Sequence, residues 1–361
     1  MPQVIWKTPH DHKGWKQKNG HYHRSAKGGG EWEFFHLPDE WAIHYTLPFQ
    51  KEASGKADPL TFHLKPFSFK HTGLFPEQAV NWDWFSGLIH EAGRPVKVLN
   101  LFAYTGGATV SAAAAGAAVT HVDASKGMVG WAKENAAASG LADAPIRWLV
   151  DDCMKFVERE IRRGNKYDGI IMDPPSYGRG PKGEIWKIED NIWDFVGLTA
   201  QLLSDDALFF LINSYTTGLQ PAVLSYMMNS TLTKKFGGHV EAEEIGLPVT
   251  ESGLVLPCGA SGRCSGTSEL VMQRIFSLTF LGRLAQHPRG SRCQCQHYQA
   301  ECSSSKINTA CPAATDCTPH CSNTVKGVIF TNLYNRFTYT GCTRYTAKLK
   351  APASCQGIRC F

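Results

Sequence analysis

Residues 96–123 read V-K-V-L-N-L-F-A-Y-T-G-G-A-T-V-S-A-A-A-A-G-A-A-V-T-H-V-D, and no other stretch restricts the fold as much. The run 96–102 is short, apolar and rich in β-formers, which predicts a buried strand. Gly106 and Gly107 allow a tight turn and a close backbone approach to a ligand. Alanine-rich residues 108–117 predict a helix packed hard against a sheet. Residues 119–122 predict a second strand that ends at Asp123. Ligands of open parallel sheets bind beyond the strands' carboxyl ends, and an acid there can accept both hydroxyls of a ribose. The turn is Y-T-G-G and not the G-x-G-x-x-G of dinucleotide sites, so this stretch alone also fits any βαβ unit with a tight turn.

A second stretch narrows the field. Residues 167–178 read Y-D-G-I-I-M-D-P-P-S-Y-G, predicting a buried strand over 169–172 followed by Asp-Pro-Pro-Ser. Two prolines cannot continue a central strand, so the chain must leave the sheet in a stiff turn. Such a turn holds carbonyls and a side chain in fixed positions, suited to gripping a flat amine or base.

Two strand ends of this kind resemble the class I S-adenosylmethionine-dependent methyltransferases. L-N-L-F-A-Y-T-G-G together with D-P-P-S-Y is similar to the bacterial family that includes the large-subunit ribosomal RNA cytosine methyltransferases and their uncharacterised relatives. The resemblance covers residues 62–263. It implies S-adenosyl-L-methionine as cofactor, with Phe102, Ala103, Tyr104, Thr105, Gly106 and Gly107 along it. Asp123, Ala124 and Ser125 would lie at its ribose, and Asp152 with Cys153 at its adenine. Asp151 takes the place of Asp152 if the register shifts by one, and either acid also suits the N-cap of the following helix. The segment 70–84 is similar to the one before the family's catalytic domain, near the cofactor's methionine end. That makes Gln78 a candidate contact or a packing residue; relatives carry Arg after the Gln, and this chain has Ala79.

The implied fold is α/β, a seven-stranded doubly wound Rossmann-like sheet with a small N-terminal β-rich subdomain. Strands are expected at 96–102, 119–122, 146–150, 167–172, 207–213, 240–247 and 254–258, the last two as a closing antiparallel hairpin. Alternating residues over 31–69 predict the short antiparallel strands of the subdomain. The expected divisions are 1–30, 31–76, 77–263 and 264–361.

Methyl transfer is an in-line displacement for which the protein mainly positions the nucleophile and excludes water. Carbon-5 methylation of a pyrimidine needs a cysteine thiolate, and the family's cytosine enzymes keep one after strand five. Here that place reads Asn213-Ser214-Tyr215-Thr216. Asp-Pro-Pro-Ser-Tyr resembles instead the loop of amino-methylating enzymes, which gives Asp173, Pro174, Pro175 and Tyr177 the catalytic roles and favours transfer to a base nitrogen of RNA, ribosomal RNA first. Arg179, Lys182 and Lys187 follow in a Gly-rich loop that suits substrate phosphates or a solvated lid. A methyltransferase of protein or a small molecule is the alternative, and a dinucleotide-dependent oxidoreductase fits the motifs less well.

Charge divides the chain. From Arg263 onward there are 12 Lys/Arg against 3 Asp/Glu, and before it 25 against 29; 10 of the 12 cysteines also follow Arg263. That Cys-, Ser- and Thr-rich tail has no C-x-x-C pair, so neither a zinc module nor cytoplasmic disulfides are expected. Its composition fits a frameshifted or read-through segment better than a lineage-specific appendage, and 264–361 is expected to be non-native or disordered. The first 30 residues interleave Lys7, Lys13, Lys16, Lys18, Arg24 and Lys27 with Trp6, Trp15 and Tyr22, which suits nucleic-acid contact or a solvated arm. His10/His12 and His21/His23 lack a completing Cys or acid cluster, so no metal is expected. With no apolar run of about eighteen residues and no signal-peptide core, a cytoplasmic protein without a membrane partner is expected; the oligomeric state is left open.

Overall fold

The computed structural model describes residues 18–25, 29–50, 58–67, 71–180, 183–249 and 252–266. The expectations for residues 1–17, Lys27, Lys182 and residues 267–361 lie outside the described residues.

The N-terminal strands form two hairpin-like pairs, β1 (Gly20–Arg24) with β2 (Gly30–Phe34), and β3 (Trp41–Tyr45) with β4 (Leu60–Leu64), each antiparallel. The first lies partly in the segment read as a basic arm, where residues 20–24 are tied across to 30–34. Alternation in β4 buries Leu60, Phe62 and Leu64, and Phe62 packs on Trp82 of α1 (Ala79–Glu91). The β-rich piece thus shares a core with the sheet.

The main elements follow in order: β5 (Lys97–Leu101), α2 (Gly107–Ala114), β6 (Ala118–Asp123), α3 (Lys126–Ala138), β7 (Ile146–Val150), α4 (Cys153–Arg163) and β8 (Gly169–Met172). Then come a small antiparallel pair, β9 (Tyr177–Arg179) with β10 (Ile185–Lys187), α5 (Ile188–Thr199), β11 (Phe209–Ser214), α6 (Pro221–Met228), β12 (His239–Pro248) and β13 (Val255–Ser265). The large sheet has seven strands in the order β12-β13-β11-β8-β5-β6-β7. Its strands β7, β6, β5, β8 and β11 run parallel, and β13 is antiparallel to both of its neighbours. Alternation divides the sheet's apolar residues between two cores. Leu99, Leu101, Ile170 and Met172 meet α4, α5 and α6; Val98, Val119 and Ile171 meet α1, α2 and α3. This is the doubly wound architecture expected of a parallel sheet covered on both faces.

The junction expected at Arg263 falls inside β13. That strand pairs on both edges as far as Ser265, the Cys264 side chain is buried, and the Gly266 N–H donates to the Leu208 carbonyl. A change of composition is therefore a poor marker of where a strand ends, because a strand between two partners is held by its backbone.

Beneath the glycine turn runs a buried polar chain. Asn100 Nδ2 donates to Thr109 Oγ1, which lies 2.9 Å from His121 Nδ1, and His121 stacks at a tilt on Trp148. Burial pushes the His121 imidazole down to about 3. The unfolded chain, near 6.5, takes up the proton first. Stability from this residue is therefore complete above about pH 6.5 and falls by about 1.4 kcal/mol per pH unit down to about pH 3. Because Asp173, pushed up to about 7, contributes the opposite slope in this range, the His121 slope is read as the difference between wild type and His121→Gln in urea unfolding from pH 6.5 to pH 4.5; equal slopes for the two would contradict a neutral buried histidine.

Candidate cofactor and substrate crevice

After β5 the chain moves to one side of the sheet to build β6 and β7, then crosses to the other side for β8 and β11. The gap between the carboxyl ends of β5 and β8 is the switch point at which open α/β sheets bind ligands. Register brings the two ends level, since Leu101 pairs with Val122 on one side and with Met172 on the other. Phe102, Asp123 and Asp173 therefore follow paired residues on one rim.

A small cavity open to solvent lies at that point. Phe102, Ala103, Tyr104, Thr105 and Gly107 line it from the turn, Asp173 from β8, Gln78 and Phe75 from the segment before α1, and Asn213 from β11. Gly106, Asp123, Ala124, Ser125, Asp152, Cys153, Pro174, Pro175 and Tyr177 are not on its walls. The expected site residues thus divide into a group around the cavity and a second group along the rim.

The turn is held in an unusual shape. Phe102 has φ 55° and Tyr104 φ 51°, left-handed values that ring-bearing residues rarely adopt. Each is pinned by its own N–H. Tyr104 donates to Asp123 Oδ2 at 2.8 Å, and Phe102 donates to Cys153 Sγ at 3.3 Å. Thr105 adds Oγ1 to the Gly73 carbonyl at 2.5 Å, and Asn135 Nδ2 donates to the Thr105 carbonyl. Gly106 has φ 83°, the left-handed backbone of a tight turn, and both glycines are also closely packed. A Cβ at Gly106 would meet Ala132 Cβ at 2.8 Å, and one at Gly107 would meet the Trp82 ring at 2.8 Å.

Asp123 also accepts the Ser125 N–H on Oδ1. Burial pushes its carboxyl above the usual range, and the two N–H donors pull it back. Each carboxylate oxygen has a second lone-pair site, so capacity for a paired hydroxyl acceptor remains. Asp152 caps α4 by accepting the Lys155 N–H at 2.9 Å, while Asp151 is paired with Arg159. Of the two acids left open by the sequence, Asp152 is therefore the one without a cationic partner of its own in these contacts. Cys153 is buried, and burial raises its thiol well above the ordinary value; its N–H stands at the first position of α4, where no intrahelical acceptor exists.

On the other wall, burial first and Glu77 second push the Asp173 carboxyl up to about 7. The Pro175 carbonyl is taken by Trp186 Nε1 at 2.7 Å, and the Ser176 hydroxyl lies 2.5 Å from Thr216 Oγ1. Tyr177 is 52% exposed on β9. The aromatic rings near Asp173 come from elsewhere. Phe75 joins that cluster, with ring centroids 5.7 Å from Tyr104 and 5.8 Å from Tyr215. Gln78 Nε2 donates to the Tyr215 hydroxyl at 2.7 Å, and Gln78 Oε1 accepts from Asn81 and Asn213. Sequence reasoning did not find Phe75, Glu77 or Tyr215 as site residues. Phe75 and Glu77 stand in the G-L-F-P-E-Q segment whose resemblance pointed only to Gln78, and Tyr215 is marked only by its position directly after β11.

The profile of a family described as S-adenosylmethionine-dependent methyltransferase matches residues 56–218. A solved S-adenosylmethionine-dependent methyltransferase from Agrobacterium tumefaciens is 37% identical, with a TM-score of 0.63, over 70% of this chain and 79% of that one. The chain belongs to the S-adenosylmethionine-dependent methyltransferases. Among curated proteins, a ribosomal RNA large subunit methyltransferase K/L of Shewanella frigidimarina is 32% identical over 174 residues, 46% of this chain. One of Pseudoalteromonas atlantica is 38% identical over 134 residues, 37% of this chain. This chain spans only 24% and 17% of their respective lengths. A putative methyltransferase, SMU.776, solved with S-adenosylhomocysteine, shares the fold at 18% identity and a TM-score of 0.53. The methyltransferase fold is the one that motifs at residues 96–123 and 167–178 implied.

Proposed function

We propose that the chain transfers a methyl group from S-adenosylmethionine to a base nitrogen of RNA, with ribosomal RNA the first candidate. The observation that carries the reading is the switch-point cavity, where the pinned turn after β5 faces the Asp173 carboxyl. The donor set fits the cofactor: a carboxylate with spare acceptor capacity at the end of β6 suits a ribose diol, and carboxyl groups beside the turn suit a ligand that bears positive charge. When bound, the cofactor supplies a methyl group already activated on a sulfonium. Asp123 would hold the ribose, Asp152 and the Cys153 N–H the adenine, and the turn from Phe102 to Gly107 the methionine end.

The residues around the cavity do the rest. Asp173 would accept an N–H of the target amine and align the nitrogen lone pair, and as its carboxylate it can take the proton that the nitrogen sheds. Phe75, Tyr104 and Tyr215 offer ring faces on which a base could stack. Tyr177 remains a candidate for that role from the outer side of the loop. Trp82, Phe85 and Leu211 close the cavity floor with apolar surface and keep water from the reacting atoms.

Nitrogen is favoured over carbon-5 because no described thiol is placed as a nucleophile. Tyr215 occupies the position after β11, and burial raises both Cys153 and Cys258 above the ordinary thiol range, away from the thiolate that carbon-5 addition needs. RNA is favoured by the names of the curated relatives. Among the described residues no helix is long and apolar enough to cross a membrane.

Tritiated cofactor offered with unmethylated ribosomal RNA, a protein extract and small-molecule acceptors tests the substrate. Label in RNA is the expected result; label in protein or small molecules with none in RNA would overturn the reading.

A further inference from the structure

We propose that His21, His23 and Glu33 form a binding site for a divalent transition-metal ion on the β1–β2 hairpin. His21 and His23 stand two residues apart in one strand, so their side chains project from the same face. Glu33 lies directly opposite His21 in the antiparallel register, which brings a carboxylate to that same face. One ligand atom from each of the three residues lies within 4.8 Å of the others, and it is the only such grouping of three among the described residues. His23 Nε2 and Glu33 Oε2 are already 2.8 Å apart, and the two imidazoles stack with centroids 4.3 Å apart and planes 8° from parallel.

The geometry needs little adjustment. Metal–ligand bonds of about 2.0–2.2 Å place tetrahedral ligand atoms about 3.3–3.6 Å from one another. All three side chains are exposed, so a change of torsion closes the remaining gap without moving the backbone. The group that opposes a cation is Lys18, whose Nζ lies 3.0 Å from His21 Nδ1; a lysine on a long exposed stem can swing away. Two imidazoles and one carboxylate favour zinc, nickel or copper over magnesium or calcium, which prefer all-oxygen sites. Three protein ligands leave a fourth position to water. A bound ion would also link strands of five residues each, a pairing that is weak when isolated. The local sequence hid this site because the completing acid comes from the opposite strand.

The test uses the full chain at pH 7.5 with zinc in excess over its 12 cysteines, so that thiols elsewhere do not compete. Histidines are modified with diethyl pyrocarbonate and read by peptide mass mapping. With free zinc about ten times above its dissociation constant, only about one site in eleven stays open, so zinc should slow modification of His21 and His23 about tenfold while His36 and His44 react at unchanged rates. Glu33→Gln should lose most of the protection. Magnesium should give none. Equal rates with and without zinc, protection undiminished in Glu33→Gln, or equal protection by magnesium would each overturn the site.

Discussion

Asp173→Ala is expected to lower methyl transfer at least about 100-fold while leaving cofactor affinity within a few fold. Losing a positioned proton acceptor typically costs two to four orders of magnitude, and Asp173 lies on the cavity wall across from the turn that would hold the cofactor. The pH profile makes the prediction sharper. Burial and the neighbouring Glu77 push the Asp173 carboxyl up to about 7, and only the ionised form can accept the target's proton. The rate in wild type should therefore rise with pH through about 7 and level above it. Asp173→Asn keeps an acceptor oxygen but does not titrate, so it should lose this rise while retaining more transfer than the alanine variant. Glu77→Gln removes the second cause of the shift and should move the rise to lower pH. A flat wild-type profile, or full activity in Asp173→Ala, would remove Asp173 from the chemistry.

Asp123→Ala is expected to weaken cofactor binding at least about 100-fold. Hydrogen bonds to a charged group are worth about 1.5–3 kcal/mol each, and each 1.4 kcal/mol is a factor of ten. Two ribose hydroxyls would lose their acceptor. The same substitution frees the Tyr104 N–H, so the left-handed turn loses one of its two pins. Asp123→Asn separates these effects, because its amide oxygen can still accept the Tyr104 N–H while the charge is gone. Calorimetry with S-adenosylhomocysteine should rank wild type above Asp123→Asn and that above Asp123→Ala. Equal affinities for all three would show that the ribose is held elsewhere.

The parallel strands and the two rim acids were legible because each leaves a local mark. Buried central strands read as unbroken apolar runs, as at residues 169–172, and the consecutive prolines after Asp173 can stand only where a strand stops. The limits of β13 were not legible, since a strand paired on both edges tolerates Gly259, Gly262 and Arg263 without an alternating pattern. Long-range contacts were hidden for a related reason. Nothing in the residues around Gln78 announces that Tyr215 will accept its N–H across 137 positions, or that Glu77 will sit near Asp173. Glycines carry a second signal that the sequence does not show. Gly106 and Gly107 read in the sequence as a tight turn, and nothing local showed that their missing Cβ atoms would also make room for Ala132 and Trp82. The turn also carries the left-handed backbone at Phe102 and Tyr104, whose N–H groups donate to Cys153 at the start of α4 and to Asp123 at the end of β6.

A crystal structure of the protein with S-adenosylhomocysteine tests most directly whether the β5–β8 switch point is the cofactor site. The account predicts the ribose hydroxyls on Asp123, the adenine beside Asp152, and the sulfur in the cavity facing Asp173. Density for the ligand away from that rim, or a sulfur turned from Asp173 with the cavity filled by protein side chains, would contradict it.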